Sequence, residues 1–285
     1  MAEKLVIIGA PRSGTNMLRD LICTLPGCGT WPCDEINFIW RHGNVAYPSD
    51  AFPAELATDR VRRFVRKGFD RVARSYDLKV VVEKTCANSL RVGFVDCIVP
   101  DAKYIFLVRH GMDAVASAAQ RWRGKLDLPY TLKKARFVPV GDVPRYAALF
   151  AANQLFRLYS PDQRVAYWGP RLDNMYELLG RFSLEEVCAL QWRECVERAM
   201  QAFAKLGGNR VLRAQYESVV DDPRSFLVRV AEFLGIGNWD GGRVSSYEWV
   251  SPNRVGAGRH NLPPDARAAV ERLISETLES HGYRS

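Results

Sequence analysis

The sequence of 285 residues lacks any apolar run of the about 20 residues that a membrane-spanning helix needs. Its N-terminus enters a predicted strand within a few residues, without the basic start and cleavage site of a secretory signal peptide. Internal repeats and low-complexity tracts are also missing. Because 47% of the residues are hydrophobic, the chain has enough apolar material for a sizeable core. These features predict one cytoplasmic globular domain over residues 1–285, with no integral membrane segment.

The seven cysteines lack the spacing of a zinc or redox motif, because they are scattered and form no C-x-x-C pair. We therefore expect them to be reduced and structural. Acidic residues are fewer than basic ones, 32 against 40, which leaves a formal charge of +8. Such an excess suits nucleic acid, an acidic membrane surface or anionic small molecules, and composition alone does not choose between these partners.

Residues 4–25, KLVIIGAPRSGTNMLRDLICTL, are the most informative stretch. The apolar residues 5–8 meet Gly9, which is typical of a buried parallel strand. Turn-forming residues follow, and apolar residues then recur at helical spacing from Met17 to Leu25. A strand, a tight loop and a helix in this order bring together backbone N–H groups and the positive end of a helix dipole. The sequence therefore predicts a seat for a phosphate or sulfate group at this loop.

The loop departs from the nucleotide-triphosphatase motif G-x-x-x-x-G-K-[ST] at the residues that act on the triphosphate. Gly9 and Gly14 keep the spacing, but Thr15 and Asn16 stand where the motif has its lysine and its magnesium ligand. The loop thus has no cation for the β- and γ-phosphates and no usual Mg²⁺ ligand, while Arg12 supplies a fixed cation inside it. A glycine-containing turn without any ligand is the alternative interpretation of this pattern.

The segment GAPRSGTN after an apolar strand resembles the 5′-phosphosulfate loop of the PAPS-dependent sulfotransferases, where PAPS is 3′-phosphoadenosine-5′-phosphosulfate. The resemblance is closer to the carbohydrate and tyrosylprotein enzymes than to the cytosolic phenol enzymes. It implies an α/β fold, a three-layer sandwich with a mainly parallel central sheet and a P-loop-like core. It further implies PAPS as donor, no metal, and a 5′-phosphate held by Arg12 and by the loop amides of Ser13, Gly14, Thr15 and Asn16.

Two further segments of the family carry candidate catalytic residues. The resemblance implies that Glu35 is the general base, with the adjacent Asp34 as its competitor; a helix cap at Asp34 beside a solvated Glu35 is the alternative. A predicted strand over 79–82 delivers Glu83 and Lys84 to the sheet edge where α/β proteins bind ligands. This segment resembles the family's E-K-T/S-P, in which the lysine approaches the transferred group, although Cys86 here replaces the proline.

The remaining candidate residues would bind the nucleotide part of the donor. Arg109 ends an apolar strand and Ser117 follows eight residues later, the spacing of the family's 3′-phosphate site. A guanidinium fork and a hydroxyl group suit a phosphate dianion. By resemblance, Tyr216 would lie near the adenine, although a tyrosine packed beside the sheet is the alternative. The basic loop before the last helix would add Arg254, with Arg259 as second choice, to the 3′-phosphate.

The pattern of apolar residues also predicts the secondary structure. Strands are expected over 5–8, 79–82, 104–108 and 210–215, and helices over 55–76, 143–159, 184–206, 226–234 and 265–280. Residues 120–182 match the family least, and we interpret them as a helical lid over the acceptor.

The resulting functional hypothesis is transfer of the sulfuryl group from PAPS to a hydroxyl or amine of a small-molecule or carbohydrate acceptor, without nucleic acid as a partner. Two alternatives are a P-loop-type kinase and a basic binding protein with a vestigial nucleotide site.

Overall fold

Five parallel strands form one sheet in the computed structural model of the chain, which describes residues 2–124, 134–159, 165–237, 239 and 247–283. The strands are β1 (Glu3–Ile8), β2 (Cys28–Thr30), β3 (Val80–Lys84), β4 (Lys103–Val108) and β5 (Val211–Gln215). Their order across the sheet is β2-β3-β1-β4-β5, and every neighbouring pair is parallel. The chain therefore places β1, and the loop that follows it, in the middle of the sheet.

Helices cover both faces of this sheet. They are α1 (Thr15–Ile22), α2 (Asn37–Trp40), α3 (Asp59–Ser75), α4 (Val92–Ile98), α5 (Gly111–Trp122), α6 (Val143–Tyr159), α7 (Met175–Arg181), α8 (Leu184–Phe203), α9 (Tyr216–Asp221), α10 (Pro223–Phe233), α11 (Gly258–Asn261) and α12 (Pro264–Ser280). In β1, Val6 and Ile8 pack into a core shared with α3, α4, α5, α8 and α12, whereas Leu5 and Ile7 pack into a second core with α1, α9 and α10. Strands that are apolar on both faces thus produce the predicted three-layer α/β sandwich, which is confirmed.

The four predicted strands agree with the observed ones to within two residues at each end. Helix ends differ more, and local capping explains one of these differences. The helix expected over 55–76 begins at Asp59, because the Thr58 side chain accepts a hydrogen bond from Val61 N at 3.4 Å and ends a preceding 3₁₀ turn, Ala54–Leu56. The helix expected to continue to 206 already ends at Phe203.

Several described residues of the 120–182 segment contact the loop that follows α2. His42 Nδ1 is 2.7 Å from Asp142 Oδ2, just before α6, and Tyr146 of α6 packs against the core on the α3 side of the sheet. The helix expected over 143–159 is confirmed as α6. Among the described residues, no helix combines the length and apolarity needed to cross a membrane.

Candidate active site

The loop between β1 and α1 has the backbone of an anion seat. Arg12 and Gly14 both adopt left-handed conformations, with φ of 67° and 86°, around Ser13. Such alternation turns successive N–H groups toward one point. Leu18 N donates to Gly14 O at 2.9 Å, and the N–H groups before it in the first turn have no carbonyl partner within the helix. The loop therefore has the backbone conformation of an anion cradle, and its occupancy by a phosphate stays a prediction.

Close packing explains why glycine occupies the two motif positions of this loop. A Cβ atom on Gly9 would lie 2.7 Å from the carbonyl oxygen of Leu107, and one on Gly14 would lie 2.3 Å from the ring of Tyr216. The tyrosine ring thus lies directly on the loop. This places Tyr216 at the cradle, where the resemblance puts the residue near the adenine.

Glu35 and Lys84 form an ion pair beside the cradle, with Glu35 Oε1 at 2.8 Å from Lys84 Nζ. The Lys84 side chain is almost fully buried, whereas 28% of the Glu35 side chain is exposed. Cys86 N donates to the same carboxylate oxygen at 3.4 Å, and Cys86 Sγ is 3.6 Å from Thr15 Oγ1 of the loop. The ends of β2 and β3 therefore meet the start of α1 at these side chains.

The charges in this pair shift each other's titration. Burial alone would raise the pKa of Glu35, but the charges of Lys84 and Lys134 and the hydrogen bond from Lys84 lower it to about 2. Burial would lower the pKa of Lys84, but Glu35 raises it above its ordinary value. Glu35 is thus a carboxylate at neutral pH.

The two neighbouring carboxylates of Glu35 have other partners. Asp34 Oδ1 lies 3.5 Å from Arg19 Nη1 on α1, so its ion-pair partner is Arg19 and not Lys84. Glu83 accepts hydrogen bonds from Thr85 Oγ1 at 2.5 Å and Asn88 Nδ2 at 3.1 Å. Burial raises the pKa of Glu83 to about 7, although the bond from Thr85 opposes the shift. Of the three carboxylates, the one that meets Lys84 is Glu35.

The other predicted residues meet on the opposite side of the cradle. Arg12 Nε donates to Ser117 Oγ at 2.9 Å, and Arg109 Nη1 donates to Arg12 O at 3.1 Å. Arg109 Nη2 donates to the carbonyl of Arg254 at 2.6 Å, and the Arg109 guanidinium lies 4.4 Å above the ring centre of Tyr216. Ser117 and Arg109 are therefore in contact with the loop, and Arg254 is connected to it through Arg109. The side chain of Arg259 lies outside the described residues.

Positive charge accumulates at this side of the cradle, although Arg109 Nη2 lies 3.5 Å from the Asp113 carboxylate. Burial lowers the pKa of Arg12, and the charges of Arg121 and Arg254 lower it further. Among the described residues, no carboxylate forms an ion pair with Arg12, Arg121 or Arg254. Ser13 Oγ and Arg109 Nε are buried, and neither atom has a hydrogen-bond partner among the residues that the structure describes. Donors and cations left over in this way fit an anion such as the phosphates of a nucleotide.

The sequence matches a family model, described as the sulfotransferase family, over residues 4–167 and 139–241. The chain belongs to the sulfotransferase family. No curated protein sequence matches this sulfotransferase. Solved structures share its fold at low sequence identity, which extends the family assignment to the architecture.

Three of those structures illustrate the similarity. The sulfotransferase domain from the curacin biosynthetic pathway has a TM-score of 0.57 and 13% identity, and the alignment covers 100% of this chain and 99% of that chain. The sulfotransferase domain of the Synechococcus PCC 7002 olefin synthase has a TM-score of 0.54 and 17% identity, with 100% and 96% covered. The mouse sulfotransferase SULT7A1, complexed with PAP, has a TM-score of 0.50 and 16% identity, with 97% and 85% covered.

The sequence did not single out two cations at the site of this sulfotransferase. Arg121 lies one helical turn after Ser117, and this i, i+4 spacing is the signal that could have identified it. Lys134, which lowers the pKa of Glu35, lies in the segment interpreted as a lid and has no comparable signal. Among the described residues, no three His, Cys, Asp or Glu side chains group closely enough to hold a metal ion.

Proposed function

We propose that this protein transfers the sulfuryl group of PAPS to a hydroxyl or amine group of an acceptor molecule. The observation that carries the proposal is a continuous set of contacts around one loop. It runs from the Glu35–Lys84 pair through Cys86 to Thr15 of the loop, and from Arg12 of the same loop to Ser117 and Arg109. A base, a buried cation and an unsatisfied anion seat thus share one edge of the sheet.

The donor would lie along this edge with its 5′-phosphate in the cradle. The N–H groups of Gly14 to Asn16 and the side chains of Arg12 and Ser13 would hold that phosphate. The N–H group of Ser13, which the resemblance also implied, instead donates to Ala10 O at 3.2 Å. Arg109, Ser117 and Arg254 would hold the 3′-phosphate, with Tyr216 beside the adenine. PAP in the mouse relative, a nucleotide with both phosphates, supports this assignment.

The chemistry requires one bond to form and one to break. The acceptor oxygen or nitrogen attacks sulfur, the bond between sulfur and the bridging oxygen of the 5′-phosphate breaks, and the acceptor proton moves to Glu35. Lys84 and Arg12 stabilise the negative charge that develops on the leaving phosphate. Because Glu35 faces Lys84 and Asp34 faces Arg19, we assign the base to Glu35. The cations of the chain itself supply the positive charge, so we propose transfer without a metal.

The acceptor would enter on the β3 side of the loop, under the segment 120–182 that we propose as a lid. A carbohydrate is our preferred acceptor, from the resemblance of the loop and of Glu35 to carbohydrate-type enzymes. Cytoplasmic location stays a prediction from the sequence.

Titration calorimetry with 3′,5′-ADP tests the donor site. We expect binding that persists in EDTA, and a variant with Arg63→Ala, which removes an exposed arginine on α3, to bind equally well. Absence of binding to the wild type would refute both the enzyme and a vestigial nucleotide site. A screen of hydroxyl and amine acceptors with labelled PAPS then tests the reaction. A protein that binds 3′,5′-ADP but transfers label to none of them would favour the binding-protein alternative.

A further inference from the structure

Asp113 is a buried carboxylate in the first turn of α5, four residues after Arg109. Its Oδ2 atom accepts a hydrogen bond from Gly256 N at 2.9 Å and its Oδ1 atom accepts one from Gly258 N at 2.5 Å. Arg109 Nη2 lies 3.5 Å from Oδ2, and 2% of the Asp113 side chain is exposed. One side chain therefore connects the start of α5 with a segment more than 140 positions later in the chain.

The segment 251–258 lies directly on this turn of α5. A Cβ atom on Gly258 would lie 2.4 Å from Met112 O and 2.5 Å from Asp113 N, so only glycine allows the approach. Arg254 O accepts the bond from Arg109 described above. Within the described residues, the other hydrogen bonds of the segment are local, to positions no more than four apart. Asp113 and Arg109 therefore supply its long-range polar contacts.

A carboxylate next to an arginine cluster repels a phosphate and so weakens its binding. This effect is reduced when hydrogen bonds and a positive charge offset the charge of the carboxylate. Two backbone N–H groups and one guanidinium satisfy Asp113, and its burial keeps it from solvent. Its hydrogen bonds fix the backbone on either side of Ala257, and the first of them, at Gly256, lies two residues after Arg254. The charge of Arg254 acts on Arg12, and the Arg254 backbone oxygen accepts a hydrogen bond from Arg109. The placement of Arg254 at this cluster thus depends on a contact that Asp113 makes.

We propose that Asp113 is a positioning residue that gives this site its selectivity for a 3′-phosphorylated nucleotide. It does so by fastening segment 254–258 to α5, which presents Arg254 next to Arg109. The inference rests on the proposed function, because it assumes that the nucleotide lies in the cradle with its 3′-phosphate at this cluster. Asp113 itself contacts the segment and Arg109, and we assign it no contact with the nucleotide.

The test compares the affinities for 3′,5′-ADP and 5′-AMP, which differ by the 3′-phosphate alone, in the full-length protein. Asp113→Asn removes the charge and one acceptor, and Gly258→Ala displaces the same contact without changing any charge. We expect each variant to lower the ratio of the two affinities at least about tenfold, with 5′-AMP affinity nearly unchanged. The matched control is Asp96→Asn, because Asp96 accepts bonds from Tyr104 at 3.1 Å and Arg210 at 2.5 Å, away from the loop. It should lower the melting temperature and leave the ratio unchanged.

The outcomes separate this inference from the function on which it rests. A wild type that binds neither nucleotide refutes the proposed function. A wild type that prefers 3′,5′-ADP, with Asp113→Asn and Gly258→Ala keeping that preference, refutes the role of Asp113 alone. Equal losses of both nucleotides in the two variants would also refute it, because a general loss of folding weakens both ligands by the same factor. Loss of the preference in both variants, against its retention in Asp96→Asn, supports the inference.

Discussion

The substitution Glu35→Gln separates catalysis from donor binding. Glutamine keeps the size of the side chain and one acceptor oxygen but removes the negative charge, so it no longer accepts the acceptor's proton. Loss of a general base lowers a rate by about 10²- to 10⁴-fold. Because Glu35 pairs with Lys84 at the end of β3 and the proposed 3′-phosphate contacts are at Arg109 and Ser117 after β4, we expect the affinity for 3′,5′-ADP to change little.

The same substitution has a cost in stability that the geometry sets. Glu35 has its pKa lowered from 4.5 to about 2, which corresponds to about 3 kcal/mol at neutral pH as an upper limit. A lowered pKa stabilises the fold above pH 4.5, and this contribution is lost as the pH falls toward 2. The free energies of unfolding of wild type and variant, measured with denaturant, should therefore differ most at pH 7 and converge below pH 4.5. Removing Lys84 as well, in a Glu35→Gln and Lys84→Met double variant, should recover part of the loss, since no unpaired buried ammonium remains.

The assay is single-turnover transfer from labelled PAPS, run beside titration with 3′,5′-ADP. The matched control is Asp34→Asn, because this neighbouring carboxylate pairs with Arg19 and should be dispensable for transfer. Transfer at the wild-type rate by Glu35→Gln would refute the base assignment. A rate loss in Asp34→Asn with none in Glu35→Gln would move the role to Asp34.

Three further predictions concern the loop and its surroundings. Arg12→Ala and Arg109→Ala should each lower transfer from labelled PAPS by at least about 10²-fold, because each removes a cation from the anion seat. Gly14→Ala should weaken 3′,5′-ADP binding and destabilise the protein by about 1–3 kcal/mol, since φ is 86° and the new atom would lie 2.3 Å from an aromatic ring; calorimetry and thermal unfolding measure the two effects. Glu83 has a raised pKa of about 7 instead of 4.5, so its protonated form stabilises the fold. This contribution to the free energy of unfolding is full below pH 4.5 and is lost as the pH rises through 7. Glu83→Gln should therefore flatten this pH dependence of urea unfolding, by up to about 3 kcal/mol.

Controls make these results decisive. Arg63→Ala removes an exposed arginine and should retain transfer, so a comparable loss there would point to net charge and not to the seat. Wild-type nucleotide affinity in Gly14→Ala would contradict the close approach of the ring. Parallel pH profiles for wild type and Glu83→Gln would contradict the raised pKa.

Much of the fold was readable from the sequence because its signals are local. Strands that are apolar on both faces, such as residues 5–8, specify a buried parallel sheet before any contact is known. The loop was readable for the same reason, since Gly9 and Gly14 have a fixed spacing. The start of α3 also has a local signal, the capping residue Thr58. The prediction missed it because it used only the spacing of apolar residues.

The points about the site that the sequence leaves open depend on contacts between distant segments. Asp34 and Glu35 are adjacent in sequence, and what distinguishes them is that one faces Arg19 on α1 and the other Lys84 at the end of β3. In the sequence, Asp113 is an ordinary acidic residue near the start of a helix. Only the fold shows that the segment around Gly256 packs against it. Local sequence specifies each element, whereas the partner of a polar side chain depends on how the elements pack.

The position of β1 between β3 and β4 has a consequence for how the family could diversify. Residues proposed for acceptor chemistry are attached to one flank of the central strand, and residues proposed for the nucleotide are attached to the other. Grafting the stretch between β2 and α3 from another sulfotransferase should exchange acceptor preference while donor affinity is inherited unchanged. The central strand would then separate an acceptor-binding region that varies between family members from a donor-binding region that stays the same.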